Sequence, residues 1–170
     1  MNTFLFLLCA TLAANVSEPV DQASSVSFTI ANFGIDVTGS FSGLQGVIHF
    51  DPASPQTASF DVSIDAASVN TGNTLRDSHL KGEDYFDVQH YPRIRLVSTT
   101  VTRTASGFVF NGKLSIKNHT RDIRFPFTAV PDAHGTLFAG SFKIHRRDYD
   151  IGGFSTIAGD LSVTLKVEAV

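Results

Sequence analysis

Thr71-Gly-Asn-Thr-Leu-Arg-Asp-Ser-His-Leu-Lys-Gly-Glu-Asp-Tyr-Phe-Asp-Val-Gln-His-Tyr-Pro92 interrupts a chain that otherwise alternates apolar and polar residues. Charged, aromatic and Gly residues crowd together here in a segment too polar for a strand. Thr74 is placed to N-cap a short helix, with Asp77 three residues on in a capping-box-like relation. Gly82 is a natural stop. A helix from Thr74 to Lys81 has about two turns, too few to be stable alone, so it must lie on the rest of the domain. On it Arg76 and His79 share a face, Leu80 lies close to Arg76, and Asp77 and Lys81 form a solvated i,i+4 pair. Tyr85-Phe86 adds an aromatic anchor before Tyr91-Pro92 re-enters extended structure.

On both sides of this segment the apolar residues recur every second position, the period of a strand with one buried face. Val26, Phe28 and Ile30 form the first such run, interrupted by Asn32-Phe33-Gly34. Ile35, Val37 and Gly39-Ser-Phe41 resume it, and Val47 to Phe50 ends at Asp51-Pro52. Phe60, Val62 and Ile64 follow. Beyond the polar segment come Ile94 to Val101, Phe108 to Gly112, Leu114 with Ile116, and then a turn at Asn118-His119. Ile123, Phe125 and Phe127 precede the loop Pro131 to Gly135. Leu137 to Ile144 and Leu161 to Val167 close the series. Many short strands with hairpin-length connections predict an antiparallel sandwich or barrel. Phe recurs on the inward face of nearly every run, which suits filling a cylinder or lining a cavity and favours the barrel.

The chain has 170 residues, 42% of them hydrophobic, enough for one domain with a sizeable core. A formal net charge of -3 gives no whole-surface attraction to nucleic acid or an anionic membrane. The cations Arg95, Arg103, Lys113, Lys117 and Arg121 between Arg93 and Arg124 read as a solvated strand face. Phe4 to Ala10 is an apolar run too short to span a membrane. It has the length of a signal-peptide core, with cleavage expected after Ala13 or Ala14. Residues 1–14 are thus expected to be a leader, although Met-Asn-Thr before the run lacks Lys or Arg. Residues 15–22 read as a lead-in and 23–170 as the barrel domain, in the periplasm or secreted. Cys9 is the single cysteine, so an exported mature chain would hold itself together without disulfides.

Thr71-Gly72-Asn73, Arg76-Asp77, His79-Leu80, Tyr85-Phe86-Asp87 and Tyr91-Pro92, in this order and spacing, resemble the YceI-like family of lipocalin-like proteins. Gly39-x-Phe41, Phe50-Asp51-Pro52, Ser98-Thr99, Gly112-x-Leu114-x-Ile116 and Ile144-x-Arg146-x-Asp148-Tyr149 extend the resemblance from about Asp21 to the end. It implies an all-β, antiparallel, closed barrel of about eight strands, with one short helix inserted near 74–81. It also implies an elongated apolar cavity for a long-chain lipid: a polyisoprenoid, an isoprenoid quinone, or a fatty acid or amide. The chain departs from the family pattern beside Arg146, where His145, Tyr149 and Asp150 replace Asn, Phe and Gly.

The expected activity is therefore non-enzymatic binding, transport or sequestration in the cavity. The alternative is a periplasmic scaffold or partner module for a membrane redox or stress system. Phe28, Ile30, Phe60, Val62, Phe86, Phe108, Phe110, Phe125, Phe127 and Phe142 are the apolar candidates, with Ile144 on the same face. Asn73, Arg76, Asp77, His79, Arg146 and Asp148 are the polar ones, Arg suiting a phosphate or a quinone carbonyl. Arg76 with Asp148, or Arg146 with Asp77, could instead clamp the helix to the last strands. His49, His79, His90, His119, His134 and His145 are scattered without metal-ligand spacing, so neither metal nor cofactor is expected. No nucleic acid is expected as a partner; transient membrane contact and a homodimer are left open.

Overall fold

A computed structural model of the chain describes residues 16–153 and 156–170; the leader read at 1–14 lies outside the described residues. The period-two runs become ten strands: β1 (Val16–Ser17), β2 (Ser25–Asn32), β3 (Ile35–Phe41), β4 (Gln45–His49), β5 (Ser59–Asp65), β6 (Arg93–Thr104), β7 (Gly107–Ile116), β8 (His119–Pro131), β9 (Thr136–His145) and β10 (Ile157–Ala169). One α-helix, α1 (Thr74–Leu80), falls where the polar segment predicted it. All ten strands form one antiparallel sheet, ordered β1-β4-β5-β6-β7-β8-β9-β10-β2-β3 and rolled into a half-barrel.

Ten strands replace the expected eight for local reasons. β1 is a two-residue addition from the lead-in, pairing Val16 with His49 and Ser17 with Ile48. β3 and β4 run in the same direction and are separated only by Ser42-Gly43-Leu44, so they are one path broken by a kink. Conversely, Phe108 to Gly112 and Leu114 to Ile116, expected as two strands, are one strand, β7. The following turn is Lys117-Asn118, because Ile116 pairs directly with His119, and Lys117 takes the positive φ of 55°.

Short bridges rather than a continuous ladder cover the sheet's edges. Along β3, Ser40 exchanges main-chain hydrogen bonds of 2.9 and 3.0 Å with Asn70. Near the chain's two ends, Glu18 and Val170 exchange bonds of 2.8 and 3.0 Å, while the Asp21 carboxylate accepts from Leu44 N at 2.7 Å. Each bridge satisfies edge groups that would otherwise template a foreign strand.

One end of the half-barrel is solid. Phe50, Phe60, Phe108, Phe110, Phe125, Phe127 and Phe138 are all buried there. Phe50 meets Phe108 and Phe138 edge-on at 5.0 and 5.3 Å, and Phe108 stacks on Phe127 at 5.4 Å. Edge-on and offset contacts are the arrangements that ring quadrupoles favour. Gly140 and Gly112 admit the Phe125 and Phe110 rings over the neighbouring backbone, where a Cβ would approach them to 3.2 and 2.5 Å. Truncating Phe127 to Ala should cost about 3–5 kcal/mol and lower Tm by roughly 6–20 °C. Thermal and urea denaturation followed by circular dichroism would measure it; a loss under about 1 kcal/mol would mean the cluster does not hold this end together.

Candidate functional site

Along the inner face, side-chain size falls from one end of the half-barrel to the other. Phe108 and Phe110 give way to Leu114 and Ile116 on β7, Phe60 to Val62 and Ile64 on β5, and Phe138 and Phe142 to Ile144 on β9. Aromatic rings fill the space between facing walls; shorter aliphatic side chains leave it open. The result is a cavity of about 490 Å³ in the aliphatic half. That lies within the range of small-molecule sites.

The wall is built in rungs set by strand register. Val163 pairs with Phe28 on one side and Phe142 on the other, and Leu161 pairs with Ile30 and Ile144 in the same way. Opposite, Val62, Leu96 and Leu114 form a third rung across β5, β6 and β7. Phe28 lies over Gly39, its partner on β3, where a Cβ would come within 2.4 Å of the ring. The glycine therefore lets the ring fold against the sheet instead of projecting across the cavity.

α1 lies at the cavity's polar end. Asn73, not Thr74, is its N-cap: the Asn73 side chain accepts from Arg76 N at 3.0 Å. Both residue types cap well, and the chain uses the earlier one. Thr71 is the fastening point. Its N and Oγ1 donate to Asp77 Oδ1 at 2.9 and 2.6 Å. Arg76 Nε donates to Thr71 Oγ1 at 2.7 Å, and Arg76 Nη2 to the Thr71 carbonyl at 2.8 Å. The helix is thus fixed to Asn70-Thr71, which is itself bridged to β3.

The loop after α1 is held from the opposite side. Gly152 N donates to the Asp84 carbonyl at 2.6 Å, and the Tyr85 ring covers Gly152 so closely that a Cβ there would meet it at 2.7 Å. Lys117 Nζ donates to the carbonyls of Glu83 at 3.3 Å and Asp150 at 2.9 Å. Arg146, 2% exposed, holds the β9–β10 connection from within. Its guanidinium donates to the carbonyls of Ala158 at 3.0 Å, Ile151 at 2.6 Å and Ile157 at 3.3 Å, and to those of Gly152 and Gly153. Burial, and secondarily the like charge of Arg147, lowers the Arg146 pKa from its ordinary value. Asp150 occupies the left-handed region at φ 52°, where the family pattern has Gly.

These contacts sort the candidate residues. Phe28, Ile30, Val62, Phe86, Phe142, Asn73, Arg76, His79 and Arg146 line the cavity. Phe60, Phe108, Phe110, Phe125 and Phe127, expected on the same wall, are in the solid half instead, ring against ring. Asp77 is engaged with Thr71, and Asp148 faces solvent. The clamp differs from both ion pairs considered: Arg76 and Asp77 close on Thr71, while carbonyls enclose Arg146. Sequence reasoning did not name Leu96, Leu114, Leu161, Val163 and Leu165 as cavity wall. The shared face of Leu161, Val163 and Leu165 on β10 was the signal for three of them.

A model of the YceI-like domain matches residues 19–169. The chain belongs to the YceI-like family. A UPF0312 protein of Photorhabdus laumondii is 30% identical over 116 residues, 67% of this chain and 60% of that one. BcnA of Burkholderia cenocepacia superposes with a TM-score of 0.84 at 23% identity, over 89% of this chain and 99% of that one. A domain of Saccharophagus degradans described as polyisoprenoid-binding superposes with a TM-score of 0.67 at 15% identity, over 90% and 97%. The last two likenesses concern the fold. In this YceI-like chain, the Tyr149 phenol beside Arg146 is 2% exposed, and burial, with Asp148 secondary, pushes its pKa up from 10.0 to about 12. The unfolded chain loses that proton first, so this group's contribution to stability should fall as pH rises from about 10 towards 12. Denaturation midpoints of the parent and Tyr149→Phe across that interval would measure it; parallel pH curves would refute the assignment.

Proposed function

We propose that the chain is a non-enzymatic carrier that holds a long-chain apolar ligand in the half-barrel cavity. A polyisoprenoid, an isoprenoid quinone or a fatty acid or amide has the required form. The observation that carries this reading is the hollow half of the sheet: aliphatic walls, one solid end and one polar rim. A protein interior normally packs to the density of an organic crystal, and an unfilled space of this size forfeits dispersion contacts along its whole lining. A ligand tail would restore those contacts, and each buried methylene adds roughly 0.8 kcal/mol before the entropy of ordering is subtracted.

The rim supplies few groups for a headgroup. Arg76 and Asn73 already serve the helix and Arg95 is paired with Asp61, while His79 is an exposed polar side chain on the cavity's edge. Affinity then resides in the tail, and the headgroup needs only a polar opening. The polyisoprenoid description of the Saccharophagus degradans domain supports a tail of this class. The apolar run Phe4 to Ala10, read as a signal-peptide core, supports export, and the proposed carrier would then work in the periplasm or beyond.

Native mass spectrometry and solvent extraction of the protein as purified test the proposal. The expected result is one apolar molecule per chain, displaced by added isoprenoid or fatty compound. Val163→Trp, which projects an indole from the centre of the cavity wall, should lower occupancy at least tenfold, since a two-ring side chain replaces volume the tail needs. Circular dichroism should show the sheet retained. Equal occupancy in parent and V163W, or no extractable ligand and no uptake, would overturn the carrier reading.

A further inference from the structure

The β2–β3 hairpin ends in a two-residue turn, Phe33-Gly34, with φ of 51° and 77°. Such a turn favours Asn or Gly at its first position, and a bulky aromatic there is strained. Phe33 is nevertheless 77% exposed, so burial in the domain does not account for the ring. Next to it, Ile35 is 71% exposed, although it shares the inward side of β3 with Val37 and Phe41, which line the cavity. Ile35 pairs with Asn32, which pairs in turn with Ile157, so Ile35 sits on the outermost rung, at the rim of the mouth, where the apolar face of β3 meets solvent. On α1, Leu75 lines the same cavity while 69% exposed.

Resting on the carrier proposal, we infer that Phe33, Ile35 and Leu75 form a tip that inserts into the apolar edge of a lipid bilayer and places the cavity mouth against it. The occupant is a bilayer rather than a protein because of the patch's form. It is a few separate protrusions, not a flat surface approaching the area of a stable protein interface. It is also continuous with a wall made for apolar chains, and a tail crossing from bilayer to cavity beside Ile35 and Leu75 would meet less water. Asp36 and Arg76 at the same end carry charge of opposite sign, so insertion depends on the apolar side chains more than on lipid charge.

The chain contains no Trp, so a single introduced indole reports its own surroundings. Phe33→Trp, in an otherwise unchanged full chain, should show blue-shifted emission on adding phosphatidylcholine vesicles and quenching by spin-labelled lipid. Val130→Trp, at an exposed site on β8 towards the solid end, should show neither. Phe33→Asn with Ile35→Thr, neither of them part of the cavity lining, should weaken vesicle partition on the order of tenfold per side chain. The same pair should slow uptake of diphenylhexatriene from vesicles while leaving its uptake from solution unchanged. If F33W emission is unaffected by vesicles, if V130W shifts equally, or if partition survives the double substitution, the tip is not a membrane contact. Concentration-dependent dimerisation abolished by the same substitutions would also overturn the inference, assigning the patch to a second copy. Failure of diphenylhexatriene uptake from both sources, with the F33W shift intact, would count against the carrier reading and uphold the tip.

Discussion

A rolled antiparallel sheet fixes the distance between its facing walls, and side-chain volume alone then decides whether that space is solid or hollow. Hydrogen bonding sets the spacing of neighbouring strands, so the sheet cannot close onto a smaller core without breaking ladders. In this chain the constraint is met in two ways along the same strands. Phe108, Phe110 and Phe127 reach across and meet Phe50, Phe60 and Phe138, and Phe125 stacks on Phe110, forming the buried cluster. Two to six residues further along, Val62, Leu114 and Ile144 do not reach. The aromatic half contributes the rigidity that keeps the aliphatic half open, because the same strands run through both.

The hollow end has its own cost, since loops beside a cavity lack a packed core to rest on. Hydrogen bonds replace that support. Arg146 draws the carbonyls of the β9–β10 connection around one guanidinium, and Lys117 ties the same connection to the loop after α1. The planar guanidinium offers several fixed donors, which a lysine ammonium could not spread over so many carbonyls. Thr71 fastens the other side of the helix through Arg76 and Asp77. A two-turn helix that could not persist alone is therefore held at both ends by polar contacts.

Much of the architecture was legible because its signals are local. Alternation located the strands, and capping chemistry located α1 to within a residue. The family motifs, read in order, pointed to the fold that the chain adopts. The height of each residue along the cylinder was not legible. Alternation says that Phe60 and Val62 face inward, but not that one lies in the plug and the other on the cavity wall. That distinction depends on which residues on other strands share their level, a matter of register. Arg146 was misread for a related reason. Its partners are carbonyls, which have no side-chain signature, whereas Asp77 offered an obvious ion pair that the fold does not use.

The same contacts argue about specificity. A polar mouth can discriminate strongly when its buried groups go unsatisfied without the correct headgroup. Here Asn73, Arg76 and Asp77 have internal partners, so they suffer little when a headgroup changes. Discrimination in the proposed carrier then falls to the walls. The Phe plug sets a floor, and the rungs of β2, β9 and β10 set the width. Shape and length of the tail are consequently selected more sharply than the chemistry of the head, with Gly39 central to that selection. Any side chain there would force the Phe28 ring off the sheet, changing the bore of the cavity without touching its polar rim.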